Sequence, residues 1–281
     1  MENENSNGAN PDVVVSFNNV DFSHPNGSVA LRDVSLEIRR GELVAILGSN
    51  GAGKTSLVRH MNGLLKPTHG EVFVFGQNTR TTTSAALSRK VGVVFQNPNN
   101  QLFAQSVRKE IEFALKNFKF PPKDLDYRLK WALDTFSLNQ YADRPPMELS
   151  GGEKKRLCIA LVLAWDPDLV VLDEPTVGQD SEQKERISNI VSSLLSQNKT
   201  VVLVTHDVEF AWPLQPRVLL MSDGKILSDG TAQEILSNPN KMSAASVLPP
   251  GLVEFSRRMS WGLPFPSNPS EAKSRLEGVL D

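Results

Sequence analysis

The chain has 281 residues, 40% of them hydrophobic and 22% charged, with a formal net charge of −2. This is the composition of a globular protein with apolar material for a sizeable core, and its balance excludes both a whole-chain basic field for nucleic acid and a long acidic tract. The single cysteine, Cys158, excludes an internal disulfide framework, and no segment approaches the roughly 20 consecutive apolar residues that span a bilayer.

Residues 1–11 are polar and acidic, without the basic start and apolar stretch of a secretory signal, and are expected to be a disordered leader. Short β-rich runs follow at 13–17 and 34–38, the second alternating apolar and polar as a half-exposed strand does. Between them, His24-Pro25-Asn26-Gly27 reads as a tight turn. Residues 43–47 are continuously apolar, the mark of a strand covered on both faces. A glycine loop and an expected helix over 56–65 come next, then strands over 71–75 and 91–95. From about 97 to 155 the pattern turns helical, with helices expected over 109–118 and 125–136. The α/β pattern returns with a strand over 169–172, a helix over 181–196, and strands over 200–204 and 217–221. Strands alternating with helices imply a mainly parallel, covered sheet interrupted by a helical insertion. After about residue 240 the Pro-containing stretches around Pro249 and Pro264 flank one helical piece and read as an appended tail rather than more core.

Three segments carry chemistry. Gly48-Ser49-Asn50-Gly51-Ala52-Gly53-Lys54-Thr55 has the spacing G-x-x-x-x-G-K-T between an expected strand and an expected helix that continues with Ser56. Glycines there let backbone N–H groups curl around phosphate oxygens, and the helix N-terminus adds partial positive charge. Lys54 can reach the β- and γ-phosphates of ATP, and the Thr55 hydroxyl can ligate Mg²⁺. At 169–174, four apolar residues deliver Asp173 to the end of a buried strand, where a carboxylate can hold Mg²⁺, with Glu174 beside it to act as general base. The third segment is Leu149-Ser150-Gly151-Gly152-Glu153, opening a helix with Lys154, Lys155 and Arg156 in its first turns. Taken alone it is an N-cap with glycines beside it; hydroxyl, free N–H groups and dipole also make it an anion site.

With its place between the phosphate loop and Asp173-Glu174, that third segment resembles the signature of ATP-binding cassette (ABC) proteins. The resemblance extends over roughly residues 13–240. It implies a P-loop NTPase fold of the α/β class: a mainly parallel core sheet, an antiparallel β subdomain, the helical subdomain at about 97–155 within a cassette of 12–240, and a C-terminal extension over 241–281. It also implies roles. Gln96 resembles the Q-loop glutamine that senses Mg²⁺ and the attacking water, Asp180 the D-loop aspartate, and His206 the switch histidine at the γ-phosphate. His24 stands where the family usually has an aromatic residue against adenine, with Phe22 as the alternative contact. Gln179 replaces the commoner leucine of the D-loop, and Glu153 the common glutamine of the signature.

Gln96-Asn-Pro-Asn-Asn-Gln101-Leu-Phe103 and the tail around 248–265 are similar to the energy-coupling factor (ECF) branch, importers of vitamins and transition-metal ions. That similarity implies ATP and Mg²⁺ as ligands and a head-to-tail dimer, held together in part by the 241–281 extension, with this chain's Ser150–Gly152 region closing on ATP held by a second ABC ATPase subunit, identical or paralogous. It further implies a transmembrane coupling subunit, a separate substrate-binding membrane subunit, no nucleic acid, and a place on the cytoplasmic face of the membrane. Another ABC importer is the alternative. A soluble ABC ATPase of DNA repair or translation is disfavoured by the lack of heptad runs, tandem cassettes and metal-spaced cysteines. The transported solute is not legible, because nothing in these motifs contacts cargo.

Overall fold

A computed structural model describes residues 12–280; the leader expected over 1–11 lies outside the described residues. Strands β1 (Val13–Ser23) and β2 (Val29–Arg39) pair antiparallel around the expected turn, where Gly27 donates to His24 O at 2.8 Å with a φ of 83°. Both strands outrun the apolar runs that announced them, because register shifts between Phe17 and Phe22 carry the polar stretch through the ladder. Next come β3 (Leu43–Gly48), α1 (Lys54–Met61), β4 (His69–Val74), β5 (Gln77–Asn78), α2 (Ser84–Leu87) and β6 (Val91–Val94).

The helical region consists of α3 (Val107–Asn117), α4 (Pro122–Thr135) and the first part of α5 (Gly151–Ala164). Helix α3 begins two residues before the periodicity suggests, because Ser106 accepts from Lys109 N as its N-cap. Helix α4 begins three residues early, with Pro122 at N1, where the missing N–H costs nothing. The core resumes with β7 (Leu169–Asp173), α6 (Ser181–Ser196), β8 (Thr200–Val204), α7 (Val208–Leu214), β9 (Arg217–Ser222) and β10 (Lys225–Thr231). Helices α8 (Ala232–Leu236), α9 (Pro239–Ala244), α10 (Gly251–Arg258) and α11 (Pro269–Leu280) finish the described chain.

Among the described residues the strands form an antiparallel sheet of order β2-β1-β4-β5 and a six-stranded sheet of order β10-β9-β3-β8-β7-β6. The larger sheet is parallel except for β10, an antiparallel edge against β9. Every residue of β3, β7 and β8 is buried, because each face is covered. Val44, Ile46, Val171 and Val204 pack with α1 and the antiparallel sheet. Val170, Leu172 and Leu203 pack toward α3 to α6.

The tail departs from expectation in one respect. Val253 of α10 and Phe265 are buried with Leu47, Trp212 and Leu220, so the extension completes the core under β3 and β9 instead of standing outside it. Trp212 Nε1 donates to Pro266 O at 2.9 Å, and Gly251 N to Glu209 Oε1 at 2.6 Å, fastening the tail to α7. Among the described residues no helix is long and apolar enough to cross a membrane.

Candidate active site

The parallel strands end together, and their carboxyl ends bring Gly48, Gln96, Asp173 and His206 to one edge of the sheet, where ligand sites of open α/β folds form. The glycine loop follows β3 through a conformation few other residues could adopt. Gly53 caps α1 at φ 101°, and a Cβ there would lie 2.4 Å from Ala30 O. Gly48 is pressed against Met221 O in the same way, at 2.2 Å. Gly53→Ala should therefore cost at least about 1–2 kcal/mol from backbone conformation alone. Thermal melts beside nucleotide binding are expected to show both reduced; a wild-type midpoint would refute the constraint.

Lys54 is 8% exposed, and its ammonium folds back over the loop, donating to Gly48 O at 2.7 Å and Ser49 O at 3.0 Å. Burial lowers its pKa, while the charges of Glu174 and Asp173 act the other way. The cleft in front of the loop has a volume of about 450 Å³ and is lined by His24, Asn50 to Ser56, Gln96, Asp173 and Glu174 among others. Phe22 is 6% exposed and packs edge-on against His24 and His60, so His24 forms the cleft wall and Phe22 lies behind it.

Asp173 ends β7 with 3% exposure. Burial is the main cause that pushes its carboxyl up, joined by the charge of Glu174 and opposed by Lys155, Lys54 and Arg59. A carboxylate whose pKa is raised on folding costs stability as pH climbs through the carboxylate range, and costs nothing once both states are protonated. Asp173→Asn should accordingly raise the melting midpoint of the ligand-free chain at pH 7, with a gain that shrinks toward pH 4. An unchanged or lowered midpoint at pH 7 would refute it.

Glu174 takes a φ of 49°, left-handed backbone that is rare outside glycine and typical of functional positions. It is held there because its N–H donates to Val204 O at 2.8 Å, tying it to β8. The turn aims the carboxylate at His206, whose Nδ1 lies 2.9 Å from both Glu174 oxygens. Thr205 Oγ1 donates to Glu174 Oε2 at 3.4 Å.

The donor set suits Mg²⁺. Thr55, Gln96 and Asp173 offer oxygens to the same space, and among the described residues no group of three or more His, Cys, Asp or Glu could hold a metal alone. Such a set leaves room for water and phosphate oxygens in the shell of a cation, the usual habit of Mg²⁺ at a nucleotide.

The remaining expected residues lie elsewhere. Ser150, Gly151, Gly152, Glu153 and Asp180 are absent from the cleft lining. Ser150 caps α5 in a capping box, accepting from Glu153 N at 3.3 Å while its own N–H donates to Glu153 Oε2 at 2.7 Å. A hydrogen bond from Tyr141, and after it the bonds with Ser150, lower the Glu153 pKa, so the charge that replaces the common glutamine is spent locally. Asp180 caps α6, accepting from Gln183 N at 2.8 Å. Gln179 lies beside Gly152, about 3.6 Å from where a Cβ would stand.

Two residues have structural roles that the motif reading did not assign, Gln101 from within the motif and Glu110 from outside it. Gln101 accepts from Phe95 N and donates to Val93 O, both at 3.0 Å, closing the loop that follows β6. Buried Glu110 accepts from Phe103 N and Ala104 N at 2.9 and 2.7 Å. Cys158 is fully buried and its thiol is pushed up to about 12 by burial, which excludes a reactive thiolate.

Comparison with known proteins points the same way. Residues 31–177 match the family described as ABC transporter. The chain is 37% identical over 248 residues to the energy-coupling factor transporter ATP-binding protein EcfA of Methanothermobacter thermautotrophicus, covering 88% of this chain and 80% of that one. Other relatives are longer, and the chain spans only 43% and 42% of the length of two of them. Among solved structures, CbiO1 from Clostridium perfringens, part of the ABC transporter complex CbiONQ, superposes with a TM-score of 0.73 at 30% identity, covering 89% of this chain and 99% of that one. A dimeric post-hydrolysis state of the ATP-binding cassette MJ0796 bound to ADP and Pi gives 0.71 at 30% identity, covering 77% and 98%. Since family and fold agree over most of its length, this chain belongs to the ABC transporter family of ATP-binding proteins.

Proposed function

We propose that the chain is the ATP-binding and ATP-hydrolysing subunit of an ECF-type importer of a vitamin or transition-metal ion. The observation that carries the reading is the meeting of Glu174 with His206 at the end of a cleft that Lys54, Thr55 and Asp173 also line. The loop N–H groups and Lys54 bind the β- and γ-phosphates, and His24 faces the base. Thr55, Asp173 and Gln96 would hold Mg²⁺, which when bound neutralises charge that develops on the phosphates. Glu174 acts as general base toward water. Both its oxygens face the imidazole of His206, whose side chain is 65% exposed and free to turn toward the γ-phosphate and release the carboxylate. Ser150 to Gly152 lie outside the cleft, which supports their use on ATP held by a second ABC ATPase subunit, as in a head-to-tail dimer closed by two ATPs. Asp180 lies at that junction.

The loop from Gln96 to Phe103 passes opening and closing to a transmembrane coupling subunit, and a separate membrane subunit selects the solute. The 241–281 extension serves dimerisation, and the complex sits on the cytoplasmic face of the membrane. Purification from solubilised membranes tests this: ATP-dependent hydrolysis with a co-purifying polytopic partner is expected. Purely soluble or nucleic-acid partners would refute the transport role, and absence of ATP hydrolysis would refute the enzyme.

A further inference from the structure

Three cations follow the signature in sequence, Lys154, Lys155 and Arg156, and they do not share a fate. Arg156 Nη1 donates to Phe136 O at 3.3 Å, within the helical region. Lys155 turns inward from α5 and is only 3% exposed. Its Nζ donates to Phe95 O at 3.1 Å, Gln96 O at 3.3 Å and Asp173 O at 3.1 Å. An ammonium has three donors, and here all three meet main-chain carbonyls.

Those carbonyls belong to the places where Gln96 leaves β6 and Asp173 ends β7. The loop beyond Gln96 is closed by Gln101, which bonds back to Phe95 N and Val93 O, and is braced at its outer end by Glu110. Its inner hinge, Phe95 and Gln96, is held to α5 by Lys155. The first residues of that helix are the signature itself, which the proposed dimer presents to another subunit's ATP. A buried charge removed from this junction leaves three acceptors short of a donor and withdraws compensation from Asp173 and Glu174.

We infer that Lys155 is a positioning residue that ties the signature helix to the hinge of the Gln96 loop and to the main chain of Asp173, so that displacement of one chain's signature shifts that chain's own Mg²⁺ and water side. Lys155 does not line the cleft, and its ammonium meets main-chain carbonyls. The inference rests on the ATPase reading above and goes beyond it by naming a link between two sites of one chain that face different ATPs.

The test uses the full chain with Lys155→Met, which keeps the stem and removes the charge, and Lys155→Gln, which restores amide donors. Hydrogen exchange without nucleotide should rise at 93–101 and 172–175 in the methionine variant, stay unchanged in the rest of α5 and the tail, and be partly restored by glutamine. In hydrolysis assays kcat should fall by about 10²-fold, the cost of a misplacement near 1 Å, while Mg²⁺-free binding of labelled ATP is kept and the half-saturating Mg²⁺ concentration rises. Unchanged exchange at 93–101 with unchanged kcat would overturn the inference. So would exchange rising across the whole chain together with a proportional loss of ATP binding, the pattern of a lysine that only stabilises the core. Should the wild type hydrolyse no ATP, the enzymatic reading fails while the exchange comparison still decides the role of Lys155.

Discussion

Glu174→Gln is expected to keep ATP binding and slow turnover by about 10²–10⁴-fold, the usual worth of a general base. The substitution is close to isosteric, so the left-handed turn at 174 and its N–H bond to Val204 O can persist. What goes is an acceptor able to take a proton from water. His206 also loses its anionic partner, although an amide oxygen can still accept from Nδ1. Because binding is retained and hydrolysis is blocked, ATP-dependent dimers should accumulate in the variant and not in the wild type. Steady-state hydrolysis measured beside size-exclusion chromatography with ATP decides the matter; near-normal turnover would remove Glu174 from the role.

Lys54→Ala acts one step earlier, on binding. The ammonium donates to Gly48 O and Ser49 O, over the loop that phosphates would enter. Hydrogen bonds to charged groups are worth about 1.5–3 kcal/mol each, so losing contacts to two phosphates should weaken ATP binding by about 10²-fold or more. The two loop carbonyls also lose a donor, which favours a rearranged loop. Equilibrium binding of labelled ATP is the measurement, and an unchanged dissociation constant would count against the assignment. Binding and turnover together separate the variants: Lys54→Ala loses both, whereas Glu174→Gln loses turnover alone.

Much of this site is legible in the sequence because its parts are local. A glycine loop between a wholly apolar run and a helix can be recognised from eight residues, and an acidic pair after Leu169-Val-Val-Leu172 from six. Other parts were not. Strand β10 escaped because, as an exposed edge, it carries no continuous apolar run and its alternation includes Gly230 and Asp229. The tail read as an appendage because Val253 belongs to a short apolar run and Phe265 stands between two prolines, neither long enough to announce a buried element, and only the chain's return to α7 gives them a place in the core.

By itself the sequence determined the glycine loop between its strand and helix, the buried strands that deliver Asp173 and His206, and the family, since each depends on contiguous residues whose spacing is distinctive. Tertiary structure alone decided three matters. It seated His24 on the cleft with Phe22 behind it, turned Glu174 onto His206 through left-handed backbone, and sent Lys155 inward to three carbonyls while its sequence neighbour Arg156 went to the helical region. Each joins residues between 18 and 60 positions apart, or depends on which way one residue faces, and such contacts follow from how strands and helices pack, which no local spacing encodes.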